Sequence, residues 1–457
     1  MARPKRPKSA NDHAVEIPPQ MSIGIGGAGE AETTGRFIII FKDEAVGDPA
    51  MVKATLGRVA GIREIASAAD YAEGAFSADD LADAETLHFP QLGIVVVGGD
   101  DARVQALTAS SMDSDSAILA IEPEYVAHAL GGAGGTPLDY LRGYRDAVNH
   151  LYDELSGRGT SDDHGADEQA AFQDTAQLTW GLQATRVDTS RYSGQGVRLA
   201  VLDTGFDLQH PDFQGRPVVS QSFIQGQVVQ DGNGHGTHCI GTSCGAQRPI
   251  GTRRYGIAYG AQIHVGKVLS NQGSGATGGI VAGIEWAITR GCQVVSMSLG
   301  ANIDQKIQQY EVPIRRALAA GTLIVAAAGN NANRSAGVFG FVGPPANADA
   351  AMAVAAVDSQ LRIANFSARS SMVTGDGGKV NIAGPGVAVY SSWPMATRYN
   401  TISGTSMATP HVAGIAALWC QATGATGAAL WTRITQAARA LGASSSDVGS
   451  GLVQAPQ

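Results

Sequence analysis

Apolar runs of strand length alternate with helical patterns along the C-terminal two thirds of the chain. The runs have the length and β-branched content of strands covered on both faces, and they lie at 197–202, 262–268, 293–298, 322–328 and 352–357. Helices are predicted after His235, over 278–290 and 304–320, and from Ser406. Such alternation is typical of an α/β fold with a doubly wound parallel sheet and helices on both faces.

An earlier part of the chain has a different pattern. Strands are predicted at 36–41, 92–97 and 117–121, with helices over 49–60 and 101–112. These elements indicate a small α+β unit that precedes the parallel sheet. Before it, residues 1–35 are polar and lack periodicity, so the pattern predicts a disordered tail.

A linker separates the two predicted units. It opens with a glycine-rich hinge at 131–135, and apolar residues at helical spacing predict one helix over 138–155. The predicted domains are a tail at 1–35, the α+β unit at 36–130, the linker at 131–177 and the α/β domain at 178–457.

Composition limits the classes of function. The chain has 457 residues, 44% of them hydrophobic and 16% charged, which fits a globular protein with a large core. The net charge of −9 and the lack of a basic stripe argue against nucleic-acid binding. No apolar run reaches membrane-spanning length. The four cysteines lack metal-ligand spacing, so buried thiols are expected.

The segment 403–413 brings a turn-forming Ser-Gly-Thr to a serine at the start of an apolar helix. Ser406 is thereby predicted at a helix N-terminus, where unpaired N–H groups and the helix dipole favour a developing anion. Pro410 is expected in the first turn, which needs no N–H from it. The alternative is an ordinary helix cap, because serine is a favoured N-cap residue.

A serine is a weak nucleophile until a base takes its proton, and the chain offers a candidate base. His235 lies among glycines in the segment 232–238, and Asp203 follows the strand predicted at 197–202. The carboxyl end of a parallel strand is where open α/β sheets carry their chemistry. Asp, His, Ser is one of the known chain orders of a catalytic triad. A structural loop histidine is the alternative for His235.

Three segments resemble the motifs of the subtilisin-like serine peptidases, the subtilase family. They are Val-Leu-Asp-Thr-Gly at 201–205, Gly-His-Gly-Thr-His at 234–238 and Gly-Thr-Ser-Met-Ala-Thr-Pro-His-Val at 404–412. The resemblance covers about 178–440. It implies a serine endopeptidase in which Ser406 is the nucleophile, His235 the general base and then acid, and Asp203 the residue that orients the imidazole.

The same resemblance implies further site residues. Asn330, after the strand at 322–328, is similar to the family's oxyanion-hole asparagine, with the Ser406 backbone N–H as second donor. A turn residue is the alternative for Asn330. Large apolar side chains are expected before the scissile bond, because the pocket residues are small. The residues expected to bind the substrate are Ser298, Leu299, Gly300, Gly273, Ser274, Gly275, Ala328 and Gly329.

The end of the early unit, 121–130, is similar to the tail of a subtilase propeptide. This implies that the ferredoxin-like unit at 36–130 is an inhibitor and intramolecular chaperone, and that the enzyme is an autoprocessed zymogen. Cleavage is expected near Leu130, or near 174–178, where mature family members usually begin. The alternative is an unrelated accessory domain.

The resemblance requires no cofactor, and it leaves calcium as an optional structural ion with Asp212 at a family ligand position. The expected partners of a monomeric enzyme are protein or peptide substrates and its own prodomain. The basic start, 1–8, is not followed by an apolar stretch, so no secretory signal is predicted. A cytoplasmic location or non-classical export is therefore expected, with an extracellular location as the alternative.

Two other classes of function are weighed against an active peptidase. A catalytically silent subtilase fold would need a broken triad or oxyanion site, and the sequence breaks neither. An acid-acting relative with glutamate in place of the histidine is disfavoured by His235 and Asn330. An esterase or lipase is also disfavoured, because no Gly-x-Ser-x-Gly motif surrounds Ser406.

Overall fold

A computed structural model describes residues 31–71, 76, 80–81, 84–99, 101–130, 171–371 and 378–457. The helix predicted at 138–155 and residues 1–30 of the predicted tail lie outside these ranges. Within them, no helix is both long enough and apolar enough to cross a membrane.

The described part of the first domain, residues 31–130, includes five strands and the α-helices 49–60 and 101–111. In chain order these are β1 (Thr33–Phe41), α1 (Pro49–Ala60), β2 (Ala66–Ser67), β3 (Thr86–Phe89), β4 (Ile94–Val97), α2 (Asp101–Ser111) and β5 (Ile118–Ala129). The strand order is β5-β1-β4-β3-β2, and only the β2–β3 pair is parallel. We call this the N-terminal domain, and its topology is ferredoxin-like as predicted.

The second domain, residues 171–457, carries the larger sheet. Its strands are β6 (Arg198–Asp203), β7 (Val218–Ser222), β8 (Gln262–Lys267), β9 (Ser274–Ala276), β10 (Val294–Met297), β11 (Leu299–Gly300), β12 (Leu323–Ala327), β13 (Met352–Val357), β14 (Ile382–Pro385), β15 (Val389–Ser392) and β16 (Tyr399–Ile402). Its helices are α3 (Trp180–Ala184), α4 (His235–Cys244), α5 (Thr277–Thr289), α6 (Gln308–Ala319), α7 (Thr405–Thr423), α8 (Gly427–Gln436) and α9 (Ser445–Val448).

The parallel sheet has the strand order β14-β13-β12-β10-β6-β8-β7, and its neighbouring strands are all parallel. Successive side chains of a strand point to opposite faces. Leu199 and Val201 of β6 accordingly pack in one hydrophobic cluster with α4 and α7, and Ala200 and Leu202 pack in another with α5 and α6. The predicted α/β fold with helices on both faces is therefore confirmed.

The N-terminal sheet packs on the second domain through one of its faces. Ile39 and Phe41 of β1 lie in a cluster with α1 and α2. Ile38 and Ile40 point the other way and share a cluster with residues of α5 and α6. The N-terminal domain thus covers the same two helices that cover the parallel sheet.

Several strands differ from the prediction. β1 begins at Thr33, within the predicted tail, and β5 continues to Ala129, well beyond 121. The sequence Glu-Pro-Glu at 122–124 hides this strand, because charged residues and proline are rare in strands. β7 and β14 were not predicted, since each is a short edge strand of the parallel sheet.

Candidate active site

Asp203 and His235 form a buried pair at the carboxyl end of β6. Asp203 is the last residue of that strand, and His235 is the first residue of α4. The His235 Nδ1–H donates to Asp203 Oδ1 at 2.7 Å. The Thr204 N–H donates to the same oxygen at 2.7 Å. The imidazole is therefore held in one tautomer and one orientation, with Nε2 directed away from Asp203.

The pKa of His235 is held well above its usual range. Burial lowers this pKa, but the negative charge of Asp203 and the hydrogen bond to it raise it by more. His235 Nε2 is buried and has no hydrogen-bond partner among the residues that the structure describes. A proton taken up at Nε2 is thus stabilised by Asp203 through the ring.

Ser406 lies in the first turn of α7, as the sequence predicts. Its side chain is fully buried, and its hydroxyl donates to Ser298 O at 3.1 Å. In this conformation the hydroxyl is not hydrogen-bonded to His235. The main chain of β5 lies between β9 and β11, in a groove in front of Ser406. The absence of a Ser406–His235 hydrogen bond does not argue against a catalytic pair, because catalytic hydrogen bonds often tighten only when a substrate is bound.

The prediction for Pro410 is wrong. Pro410 is the sixth residue of α7, in its second turn, because the helix already begins at Thr405. A proline there leaves the carbonyl four residues earlier, that of Ser406, without its helical donor. Ser298 Oγ donates to this Ser406 oxygen at 2.8 Å and supplies the missing hydrogen bond. Ser298 and Ser406 therefore hold each other in place through two hydrogen bonds.

Asn330 presents a fixed amide beside the serine. Its Oδ1 accepts from the Thr405 N–H at 2.9 Å and from Thr405 Oγ1 at 2.8 Å, so the amide cannot turn over without losing both bonds. Its Nδ2 donates to the carbonyl oxygen of Leu130 at 2.9 Å. Thr405 was not singled out in the sequence, although it directly precedes Ser406 in the 403–413 segment.

The C-terminal end of β5 lies as an extra strand in a groove of the second domain. It pairs antiparallel with β9 on one side and with β11 on the other. The Ala129 N–H donates to Gly273 O at 2.8 Å, and the Leu130 N–H donates to Ser298 O at 3.2 Å. The segments around Gly273–Gly275 and Ser298–Gly300 thus form two walls that pair with an extended segment of the same chain.

The Leu130 side chain lies against Gly300. A Cβ placed on Gly300 would come within 2.9 Å of Leu130 Cδ1, so only glycine leaves this space free. Ala328 and Gly329 are buried beside Asn330, and the Gly329 N–H donates to Thr405 Oγ1 at 3.2 Å. Gly329 has a backbone φ of +123°, which residues other than glycine rarely adopt.

Asp212 lies away from this groove, in a cluster of tyrosines. Its carboxylate accepts hydrogen bonds from Tyr255 OH at 2.6 Å, from Tyr399 OH at 3.1 Å and from the Ile250 N–H at 2.8 Å. Calcium requires oxygen lone pairs directed at the ion, whereas these three groups direct hydrogens at Asp212. The residues around Asp212 therefore fit a hydrogen-bonded carboxylate and do not fit a calcium ligand set.

Cys239 lies next to the histidine. Its Sγ is 3.9 Å from His235 Nδ1 and 3.6 Å from Ser406 O. Asp203, His235 and Cys239 could in principle ligate a metal, because their donor atoms lie within 4.8 Å of one another. Burial raises the pKa of the Cys239 thiol, which disfavours the thiolate that binds a metal. The hydrogen bond between His235 Nδ1 and Asp203 Oδ1 already uses one donor atom of each of the other two residues. All four cysteines are free and buried, as expected.

Two further histidines near the site are packing groups. His238 Nε2 lies 3.0 Å from Val389 O, and His411 Nδ1 lies 2.8 Å from Met407 O. Burial lowers the pKa of His238 to about 3 and that of His411 to about 4, so both rings are neutral near pH 7.

The model of the subtilase family matches residues 194–451. Subtilisin DY of Bacillus licheniformis is 40% identical over 238 residues, which are 52% of this chain and 81% of that protein. The chain belongs to the subtilase family. The family match and the identity to subtilisins confirm the sequence-based prediction that this subtilase is a subtilisin-like serine endopeptidase.

Two other relatives extend the comparison of this subtilase. The thermostable alkaline protease of Halalkalibacterium halodurans is 34% identical over 358 residues, 76% of this chain and 92% of that protein. This match covers more of the chain than the range 194–451 does. The cuticle-degrading protease of Metarhizium anisopliae is 39% identical over 253 residues, 52% of this chain and 59% of that protein.

Proposed function

We propose that this subtilase cleaves peptide bonds with Ser406 as nucleophile, His235 as proton carrier and Asp203 as the group that orients His235. The proposal is carried by the contact of Asn330 Nδ2 with the Leu130 carbonyl oxygen in the groove beside Ser406. The oxygen of this carbonyl accepts a hydrogen bond from an amide group, and the two hydrogen bonds from Thr405 fix the orientation of that amide. Asn330 is accordingly the proposed side-chain donor of the oxyanion hole.

The proposed reaction follows from these positions. As Ser406 Oγ attacks the scissile carbonyl, His235 Nε2 takes the hydroxyl proton, and the charge of Asp203 stabilises the imidazolium. The oxygen that becomes negative is bound by Asn330 Nδ2 and by the Ser406 N–H at the positive end of α7. His235 then gives its proton to the leaving amine, and water releases the acyl group by the same steps in reverse order.

The N-terminal domain is the proposed inhibitor of its own peptidase domain. Leu130 directly follows β5, the strand that fills the groove, so residues 126–130 lie where a cleaved product would lie. The Glu122 carboxylate accepts hydrogen bonds from the backbone N–H groups of Gln308 and Gln309 at the start of α6, at 2.8 and 2.9 Å. Glu124 accepts the Gly278 N–H at the start of α5, at 2.7 Å.

These two glutamates make the docking specific. Neither α5 nor α6 has a side-chain hydrogen bond from its own N-cap residue. A carboxylate at a helix N-terminus satisfies free N–H groups and complements the helix dipole. The proposed inhibitor thus supplies the caps of two peptidase helices as well as the strand in the groove, and the proposed enzyme is an autoprocessed zymogen.

The proposed enzyme works as a monomer on protein or peptide substrates. An extracellular location is proposed over the cytoplasmic one, since one relative is by name a cuticle-degrading protease. Calcium as a structural ion remains a prediction without an assigned site, because the surroundings of Asp212 do not fit one.

The first prediction concerns the nucleophile. Ser406→Ala should reduce casein hydrolysis by the purified protein to background, because it removes the hydroxyl that attacks the scissile carbonyl in the proposed reaction. Ser403→Ala is the matched control: Ser403 lies three residues away, is exposed, and only accepts the Ala388 N–H. Wild-type turnover by Ser406→Ala would show that the nucleophile is wrongly assigned.

The second prediction concerns maturation. N-terminal sequencing of the purified wild type should give a start between Gly131 and Leu178, because the chain after Leu130 directly follows the residue held at Asn330. Ser406→Ala should keep the N-terminal domain attached. A wild-type protein that keeps its N-terminal domain and is nevertheless fully active would overturn the zymogen proposal.

The third prediction concerns specificity. Profiling with peptide libraries should show a preference for large apolar residues before the scissile bond, as Leu130 illustrates. Gly300→Ala adds a methyl group that crowds the pocket. It should reduce kcat/KM for substrates with leucine or phenylalanine before the scissile bond by about tenfold or more, compared with substrates that have alanine at that position. A dominant preference for arginine, lysine or aspartate, or an unchanged profile in Gly300→Ala, would contradict this pocket.

A further inference from the structure

Asp231 is a buried carboxylate that lies four residues before His235 and has no assigned role. Only 3% of it is exposed, and it accepts five hydrogen bonds. Oδ1 accepts from Thr204 Oγ1 at 3.0 Å and from the Asn233 and Gly234 N–H groups at 2.9 Å each. Oδ2 accepts from the Thr237 N–H at 2.9 Å and from Thr237 Oγ1 at 2.8 Å.

On one side, these bonds reach Asp203 through Thr204. The Thr204 N–H donates to Asp203 Oδ1, the same oxygen that accepts from His235. The Thr204 hydroxyl donates to Asp231 and accepts the Gly236 N–H at 2.9 Å. Thr204 therefore links the strand end that carries Asp203 to the helix start that carries His235.

On the other side, Asp231 caps the helix of His235. The N-cap position of α4 is Gly234, which has no side chain and has φ +106°. A larger residue is excluded there, because a Cβ on Gly234 would lie 2.3 Å from a ring carbon of Trp393. Asp231 takes over the capping role from three residues earlier and places a negative charge at the helix N-terminus.

A buried lysine balances the charges of this region. Lys267 is 0% exposed, and its ammonium group donates to Thr204 O and to Asn271 Oδ1. Burial lowers the pKa of Lys267, whereas the charges of Asp231 and Asp203 raise it, which identifies both carboxylates as its electrostatic partners. Asp203 is the charged group that acts directly on His235, while Cys239 and His238 lie close to it as a neutral thiol and a neutral ring.

We propose that Asp231 is a positioning residue of the reaction. It holds Asp203 and His235 in register through Thr204 and through the first turn of α4, and it does not touch the substrate. The proposal rests on the proposed roles of Asp203 and His235. It predicts that loss of Asp231 loosens the Asp203–His235 pair while substrate binding in the groove of β9 and β11 is preserved.

Asp231→Asn tests this proposal in enzyme produced from the complete chain and titrated for active sites. The asparagine cannot accept all five hydrogen bonds, because its NH₂ group would face the Thr237 N–H. The expected result is a fall in kcat of about 10- to 100-fold, from misplacement of the proton carrier. KM should change by no more than about twofold. The acid limb of the pH profile should move to lower pH, because a loosened Asp203 raises the pKa of His235 less.

Thr204→Val provides a second test if Asp231→Asn fails to fold. This variant removes the hydroxyl that links Asp231 to the Gly236 N–H, and it changes the side-chain volume very little. It should show the same loss of kcat and the same shift of the acid limb of the pH profile. Thr204→Ser restores the hydroxyl and should restore both. Asp447→Asn is the control for simple loss of stability, because Asp447 is equally buried but pairs with Arg334 and Arg369.

The outcomes separate the two proposals. If Asp231→Asn and Thr204→Val unfold more easily but keep the wild-type kcat and pH limb, Asp231 is only a structural residue and this inference is overturned. The roles of Asp203 and His235 would then still stand as long as Ser406→Ala is inactive. If Ser406→Ala is active, the proposed function itself fails.

Discussion

The insertion of β5 between β9 and β11 is the constraint on which the arrangement of this molecule depends. One strand belongs to the N-terminal sheet at its start and to the proposed substrate groove at its end. Its main chain is bound on both sides by peptidase backbone, and its glutamates cap α5 and α6. The N-terminal domain consequently cannot leave the groove without also exposing the apolar face it shares with those helices.

Several ionisable side chains are buried near the end of β5. Asp203, His235, Asp231 and Lys267 are all almost fully inaccessible, and an unpaired charge in such a place is strongly destabilising. Each of these groups has hydrogen-bond partners, and the two carboxylates share the lysine as their cationic neighbour. The fixed dipoles and charges are therefore in place before any substrate arrives, which is how a preorganised site lowers a barrier.

The parts of the proposed site that depend on local motifs are visible in the sequence. Asp203, His235 and Ser406 each stand in a short segment with its own resemblance, and the buried parallel strands are continuous apolar runs. Residues that act through tertiary contacts were missed, because nothing in their local sequence marks them: Thr405 fixes Asn330, and Asp231 binds Thr204. Pro410 was misplaced because it is the sixth residue of α7 and lies beyond the first turn, and only the fold shows that Ser298 replaces the lost donor.

The most direct test of the central claim is mass spectrometry after reaction with a fluorophosphonate, which phosphonylates an activated serine. Once the N-terminal domain has left the groove, a single adduct is predicted, on the peptide that contains Ser406. While β5 still fills the groove, labelling should be much slower, because the hydroxyl is then bound to Ser298 O and is inaccessible. An adduct on another serine, or no adduct on the processed protein, would contradict the claim that this groove is the active site of the peptidase.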